Sequence, residues 1–423
     1  MKKRLKVVTA TLLTAVLLAG CGAGGAKNNT GTDGQGTNSG GEEKAVTISV
    51  WGMGEEAKTL PTLAEQFTKE NPNIKVNVQA LPWNQGHEKL LAAVASKKGA
   101  DVIQMGTSWI PEFAAAGALA DLSPFVEKYP EMKEDNFYAG AVEAGKYDGK
   151  YVGIPWYVET RVLFHRTDLL KEVGFEQAPA TWEELSDAAQ KLAARGDGKY
   201  GMSIDHKEQS LGFMFARQNG AELFDSAGQP NFTDEKFVEA VSYINSFYQN
   251  GSAPKDLGID IVPAFKEGIL PMFISGPWMI KLIKDQAPEI DGKWAISVLP
   301  KKENNTSLLG GSNLSIFEYS QNKEAAAKFI AFMSKPETQI KWMDQTSSLP
   351  ATTKAWENDV LKNDENFKVI GDQLNAAQPM PVITEWMPIS ETYLKYFEVI
   401  YRNNADVLEQ MKLFNADAVK FMK

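Results

Sequence analysis

Ten tryptophans punctuate the chain, and six of them, Trp51, Trp83, Trp109, Trp156, Trp278 and Trp386, fall at expected strand ends or in loops, from which a ring can face a cleft. Charged groups stand near them: Glu55 and Glu56 follow Trp51, and Glu159 and Arg161 follow Trp156 and Tyr157. An indole presents a flat apolar face at little entropic cost. A hydrogen bond to a charged group contributes roughly 1.5–3 kcal/mol. Together these suit a ligand with apolar C–H faces and a rim of hydroxyls. The same inventory would suit a hydrolase acting on such a ligand if two carboxylates converged to about 5–9 Å, and Glu55, Glu159 and Glu385 are the candidates.

Each residue also has a packing alternative. Trp51 ends an apolar strand and is equally placed for a core, while Trp83, beside Asn84 and Gln85, would also serve as surface cover. Glu159 and Arg161 would also make a hinge salt bridge. One of Glu55 and Glu56 would also be merely solvated, and Gly310-Gly311-Ser312-Asn313 would also form a helix cap or tight turn. Trp182, Trp294, Trp342 and Trp356 hold helix or strand positions that read as packing.

Other chemistries find little support. His87, His165 and His206 share no ligand spacing and the chain has one cysteine, so neither a zinc site nor an internal disulfide is expected, nor any cofactor. Gly140–Lys146 has the outline of a phosphate loop, but Tyr147 stands where the Mg²⁺-binding Ser or Thr belongs. Gly310-Gly311-Ser312-Asn313-Leu314 lacks the closing glycine of a nucleophile elbow. A formal net charge of −10 without a basic cluster argues against a nucleic-acid partner.

The lone cysteine carries a chemistry of its own. Lys2, Lys3, Arg4 and Lys6 precede an apolar run from Val7 to Leu18, which closes on Leu18-Ala19-Gly20-Cys21. This pattern resembles the lipobox of bacterial lipoproteins. It implies a signal peptide over 1–20, cleavage before Cys21, and acyl chains on Cys21 that anchor the protein to the cell membrane on its extracytoplasmic side. Loss of the four leader cations would take the net charge to −14. Residues 21–44, rich in Gly, Asn and Thr, read as a flexible linker with a reach on the order of 25–30 Å. No second apolar run is long enough to span a bilayer.

The rings must be positioned by alternating strands and helices. Val46–Val50 alternates apolar and polar residues, Leu60, Leu63, Ala64 and Phe67 recur at helical spacing until Asn71-Pro72, and Ile74, Val76 and Val78 alternate again. A helix over Leu90–Ala95, a strand over Asp101–Met105 and a helix ending at Gly117 extend the pattern. It predicts an open α/β sheet with ligand-facing loops beyond the carboxyl ends of its strands, at 51–56, 81–86 and 106–109. Thr181-Trp182-Glu183-Glu184 predicts a capped helix start. Trp294, Ile296 and Val298 predict a strand, 308–317 a further apolar segment, and the stretches after Lys323 and from Tyr393 to Met422 predict helices.

Several ordered segments then resemble those of the extracellular solute-binding proteins of ABC importers, in the carbohydrate-binding family that includes maltose binders. They are Phe67-Thr68-Lys69-Glu70-Asn71-Pro72-Asn73-Ile74, Ala100-Asp101-Val102-Ile103, Ala114-Ala115-Ala116-Gly117-Ala118-Leu119 and Gly153-Ile154-Pro155-Trp156. Leu163–Leu169, Thr181–Leu185, Ser275-Gly276-Pro277-Trp278 and Gly311-Ser312-Asn313 follow in order. The resemblance implies a two-lobe periplasmic-binding-protein-like α/β fold of class II, with a helix-flanked central sheet in each lobe and a ligand cleft at the hinge. The lobes are expected over 45–156 plus 308–348 and over 157–307 plus 349–423, with crossings near 155–159, 300–310 and 347–351.

What the resemblance implies for function is capture of a di- or oligosaccharide by hinge closure and delivery to an ABC permease driven by a cytoplasmic ATPase, by a monomer that makes and breaks no bond. The runners-up are a lipid-anchored glycoside hydrolase and a sugar receptor for a membrane sensor. By the same resemblance the ligand-binding set is Glu55, Glu56, Ser108, Trp109, Trp156, Tyr157, Glu159, Arg161, Trp278, Gly311, Ser312, Asn313 and Trp386, with the ring of Trp278 stacking on the sugar. The sequence departs from maltose binders at Gly106-Thr107-Ser108-Trp109, which replaces an acidic-basic pair, and at Tyr157 and Arg161, which replace smaller residues. Trp156–Arg161 looks closer to binders of β-linked disaccharides such as chitobiose or cellobiose.

Overall fold

A computed structural model describes residues 45–422 apart from Glu55, Leu257 and the side chains of Glu56 and Asn84. The leader, Cys21 and the expected linker lie outside the described residues. In chain order the strands are β1 (Val46–Met53), β2 (Ile74–Leu81), β3 (Val102–Gly106), β4 (Lys146–Tyr147), β5 (Lys150–Tyr151), β6 (Ile154–Glu159) and β7 (Val162–Arg166). They continue with β8 (Met202–Ser203), β9 (Met272–Ser275), β10 (Trp294–Ser297), β11 (Ser307–Ile316), β12 (Leu349–Pro350) and β13 (Ala377–Pro379).

Two sheets organise the molecule. The larger runs β12-β6-β11-β3-β1-β2, with β13 added beside the start of β11, and the smaller runs β10-β7-β9-β8. β1 pairs in parallel with both β2 and β3, as the alternating pattern requires, whereas β11 runs antiparallel to β3 and β6. Behind β1, whose Ile48 and Val50 are fully buried, lies the helix Leu60–Glu70, burying Leu60, Leu63, Ala64 and Phe67. It stops where Asn71 turns both its side-chain amide and its backbone N–H onto the Phe67 carbonyl, at 3.0 and 2.9 Å.

β7 is buried along its whole length. On one face Phe164 stacks on Phe273 at 4.8 Å, and Leu163, of opposite parity, joins the core formed with Trp182, Leu185 and Phe213. The helix Trp182–Ala193 begins at the expected cap, with Thr181 Oγ1 accepting from the Glu184 amide at 3.1 Å. The Glu184 carboxylate reaches one residue further back and accepts from Ala180 N–H at 2.7 Å. The stretch expected to be helical from Tyr393 to Met422 is made of two helices, Trp386–Asn403 and Val407–Phe421. Asn404 turns left-handed at φ 54°, and the Asp406 carboxylate then caps the second helix.

The chain passes from the larger sheet to the smaller at Thr160–Arg161 and returns between Ser297 and Ser307. These passages lie side by side, joined through one hydroxyl. Ser307 Oγ donates to the Arg161 carbonyl at 2.9 Å and accepts from Arg161 N–H at 3.0 Å and from the Thr160 hydroxyl at 2.9 Å. Buried amides fix the returning segment: Gln218 Nε2 donates to Thr306 O, and Gln373 binds Leu299 N–H and Asn305 O. β12 and β13 still pair within the larger sheet, and only after Pro379 does the chain enter the helix Trp386–Asn403, which packs on the smaller-sheet core.

Candidate binding cleft

Burial and cavity lining separate the expected residues that face open space from those that do not. Trp156 and Tyr157 are neighbours in β6 and part company at a break in its pairing with β11. Tyr157 and Glu159 border a cavity of about 360 Å³, together with Trp83, Trp278 and Ser347. Trp156 turns the other way, 1 % exposed, with its ring 4.5 Å from that of Trp342. It is also the extra residue of a bulge, since Ser312 pairs with Tyr157 and Asn313 with Pro155. Its expected place in the site is therefore corrected to the core.

A second cavity, about 280 Å³, shares Trp83 and Glu159 with the first. Its near wall comes from the carboxyl end of β3, where Gly106, Thr107, Ser108 and Trp109 stand, as expected of a strand-end loop. Trp83 opens the helix Trp83–Ser96 instead of sitting in a loop, and its ring meets Trp109 edge-on at 5.4 Å. Gly310 and Gly311 form the floor. At Gly311 φ is +134° and a Cβ would run into the Tyr157 carbonyl, so the close approach of β11 to β6 requires glycine there.

Ser312 and Asn313 do not reach either cavity. Both lie within β11, not in a cap or turn, and each is 1 % exposed. Ser312 Oγ donates to Met105 O at 3.0 Å, and Asn313 faces Gly145 and Gly153 on the opposite side. Trp386 borders the smaller cavity but is 2 % exposed and locked against Phe213 at 4.7 Å, because it starts a helix where a loop was expected. Glu55 and the side chain of Glu56 lie outside the described residues. Trp51 sits within β1, with Lys89 Nζ 4.7 Å from its ring centroid and Phe317 at its edge.

The far wall comes from the other half of the molecule. Glu208, Gln209 and Ser210 line the smaller cavity, as do Met380 to Val382, and none of these was expected from the sequence. They lie in segments without periodicity, and no signal in the sequence singled them out. Arg161 joins the halves. Its guanidinium donates to Glu159 at 3.3 Å and to Glu208 at 2.8 Å, and its carbon lies 5.0 Å from the Trp278 ring centroid. Burial opposes the charge on Arg161, yet the carboxylates of Glu208 and Glu159 hold it above its ordinary pKa. Burial likewise works to raise Glu208, but Arg161 and Ser210 hold it below the usual carboxylate range. Trp278 itself is 41 % exposed, its ring folded over Gly276, where any side chain would collide with it.

Beneath this wall Gln104, fully buried, donates to Tyr157 Oη at 3.1 Å and accepts from Met53 N–H at 2.7 Å. The strand end and the β6 residue are thereby held in register. No group of three or more His, Cys, Asp or Glu able to hold a metal occurs among the described residues.

Comparison with known proteins gives the arrangement a context. A family model described as bacterial extracellular solute-binding protein matches residues 52–340. The galactooligosaccharide-binding protein of Bacillus subtilis (strain 168) is 26 % identical, with 82 % of this chain and 83 % of that protein aligned. The maltooligosaccharide ABC transporter solute-binding lipoprotein of Streptococcus pneumoniae serotype 4 is 26 % identical over 91 % of this chain and 89 % of its own length. Among solved structures, the sugar-binding protein MalE from Xanthomonas citri superposes with a TM-score of 0.83 at 31 % identity, covering 89 % of this chain and 97 % of that one.

Proposed function

The chain belongs to the bacterial extracellular solute-binding proteins, and from that membership we propose that it captures a di- or oligosaccharide in the cleft and hands it unaltered to an ABC importer. The observation that carries this reading is the pair of adjoining cavities, lined by Trp83, Trp109 and Trp278 as flat surfaces and by Glu159, Arg161 and Glu208 as edge hydrogen-bonding groups. A pyranose needs both kinds of surface, and two cavities that share Trp83 and Glu159 suit more than one ring. The relatives from B. subtilis and S. pneumoniae are named for oligosaccharide ligands, which supports the same class here. The pneumococcal relative is also named a lipoprotein, in keeping with acylation of Cys21 and tethering at the outer face of the cell membrane.

The electrostatics of Glu208 suit a hydrogen-bond acceptor and not a general acid. A glycosidase needs one carboxyl kept protonated as general acid, with its pKa raised. Glu208 is shifted the opposite way, by the Arg161 it shares with Glu159. The β-linked preference expected from Trp156–Arg161 now rests on Tyr157, Glu159 and Arg161 alone, since Trp156 is in the core.

Calorimetric titration of the protein against a panel of α- and β-linked di- and oligosaccharides tests the proposal. Saturable binding to at least one glycan, with no shortened products by chromatography, is the expected result. Silence across the panel, or cleavage of the bound glycan, would reject it.

A further inference from the structure

We propose that the cleft selects by charge: it takes uncharged oligosaccharides and refuses those bearing a carboxylate, and Glu208 is one of the residues that sets this preference. The inference rests on the reading above that the cleft holds a saccharide. Among the described residues that line the two cavities, Arg161 is the one cation. An acidic sugar would need it.

Arg161 is already committed. One terminal nitrogen donates to Glu159 Oε2 and the other to Glu208 Oε2, at 3.3 and 2.8 Å. The Trp278 ring lies beside the guanidinium, and the side chain is only 13 % exposed. A guanidinium so enclosed presents no free two-pronged face to an incoming carboxylate. The two carboxylates outnumber it, so a ligand anion would enter a wall of net negative charge with little water to screen it. Hydroxyls meet no such penalty, because they bring no charge and can donate to a carboxylate oxygen.

Glu208 matters because it comes from the opposite half of the molecule. Its other oxygen accepts from Ser210 N–H at 3.3 Å, which fixes the carboxylate where it can hold Arg161. Rejection built by an unpaired like charge is a means of specificity distinct from better contacts to the right ligand. Neither Glu208 nor this role was apparent in the linear sequence.

The test uses the full chain in detergent at pH 7 and neutral linear trisaccharides, namely cellotriose, maltotriose and galactosyl-lactose. Each is paired with a counterpart in which one terminal hydroxymethyl is oxidised to a carboxylate. At least one neutral trisaccharide should bind, with its oxidised partner weaker by about thirtyfold or more, as expected for an unpaired like charge in a desolvated site. Equal or tighter binding of the oxidised partner overturns the charge preference and leaves the saccharide reading standing. If no trisaccharide of either kind binds, a glycan of the wider panel that does bind takes their place with its own oxidised partner, and silence across that panel too brings down the saccharide reading and this inference with it. In Glu208→Gln, which frees Arg161 from one of its two anions, the ratio of the paired affinities should shrink at least about fivefold. Loss of fold would not narrow that ratio, and a ratio unchanged from the parent removes Glu208 from the role.

Discussion

Replacing Trp278 by alanine removes a ring that is 41 % exposed at the cleft, whereas replacing Trp156 removes one that is 1 % exposed and packed on Trp342. The two substitutions should therefore separate binding from stability. Trp278→Ala should weaken saccharide binding by roughly tenfold or more, the loss expected of an aromatic anchor, while hardly moving the melting temperature. Trp156→Ala should cost about 3–5 kcal/mol of stability through the cavity it leaves. Calorimetry and urea unfolding of both variants give the comparison, and a Trp278→Ala protein that binds as the parent does would take that ring out of the site. The likeness of these residues in a linear reading is instructive. Both are tryptophans that directly follow a proline, and what tells them apart is the bulge that buries Trp156 and the helix start that leaves Trp278 exposed.

At the scale of elements, the strands and helices of the larger sheet were legible because their periodicity is local. The helix Leu60–Glu70 and the β1-helix-β2 unit arise where the apolar spacing put them. What was not legible is supplied by pairing across long separations. β11 runs through Ser312 and Asn313, so a stretch read as a possible turn is a buried strand, and Glu208 meets Arg161 only because two halves of the chain converge. The smaller sheet hides a titratable group in the same way. His165 lies in the central strand β7, and burial pushes its imidazole down to about 4 from an ordinary 6.5. The unfolded chain then binds a proton that the folded one refuses between those values, so stability is full above pH 6.5 and falls as the pH drops toward 4. The loss should reach about 3 kcal/mol, from 1.36 kcal/mol per pKa unit. In His165→Phe, urea unfolding across that window should show a visibly shallower decline, whatever the variant's stability at pH 7. An unaltered decline would mean that other groups govern acid unfolding.

For the whole molecule, the arrangement of the two passages limits how the halves can move. Thr160–Arg161 and the segment ending at Ser307 lie adjacent and share the Ser307 hydroxyl, and we propose that the sheets move relative to one another by rotation about this pair. Arg161 belongs to the first passage and holds its side chain between Glu159 and Glu208, so on this proposal one residue serves both the hinge and the cleft. A saccharide that bridges rings and carboxylates on both walls should bias the rotation toward the closed arrangement, because only there does it touch both. Scattering should record a smaller radius of gyration on adding a bound glycan. At a hundredfold excess over Kd the folded state should gain about 2.7 kcal/mol, seen as a higher melting temperature. The two readouts are independent: a glycan that raises the melting temperature without compaction would bind one wall alone, and the jaw-like closure would have to be given up even though binding survived.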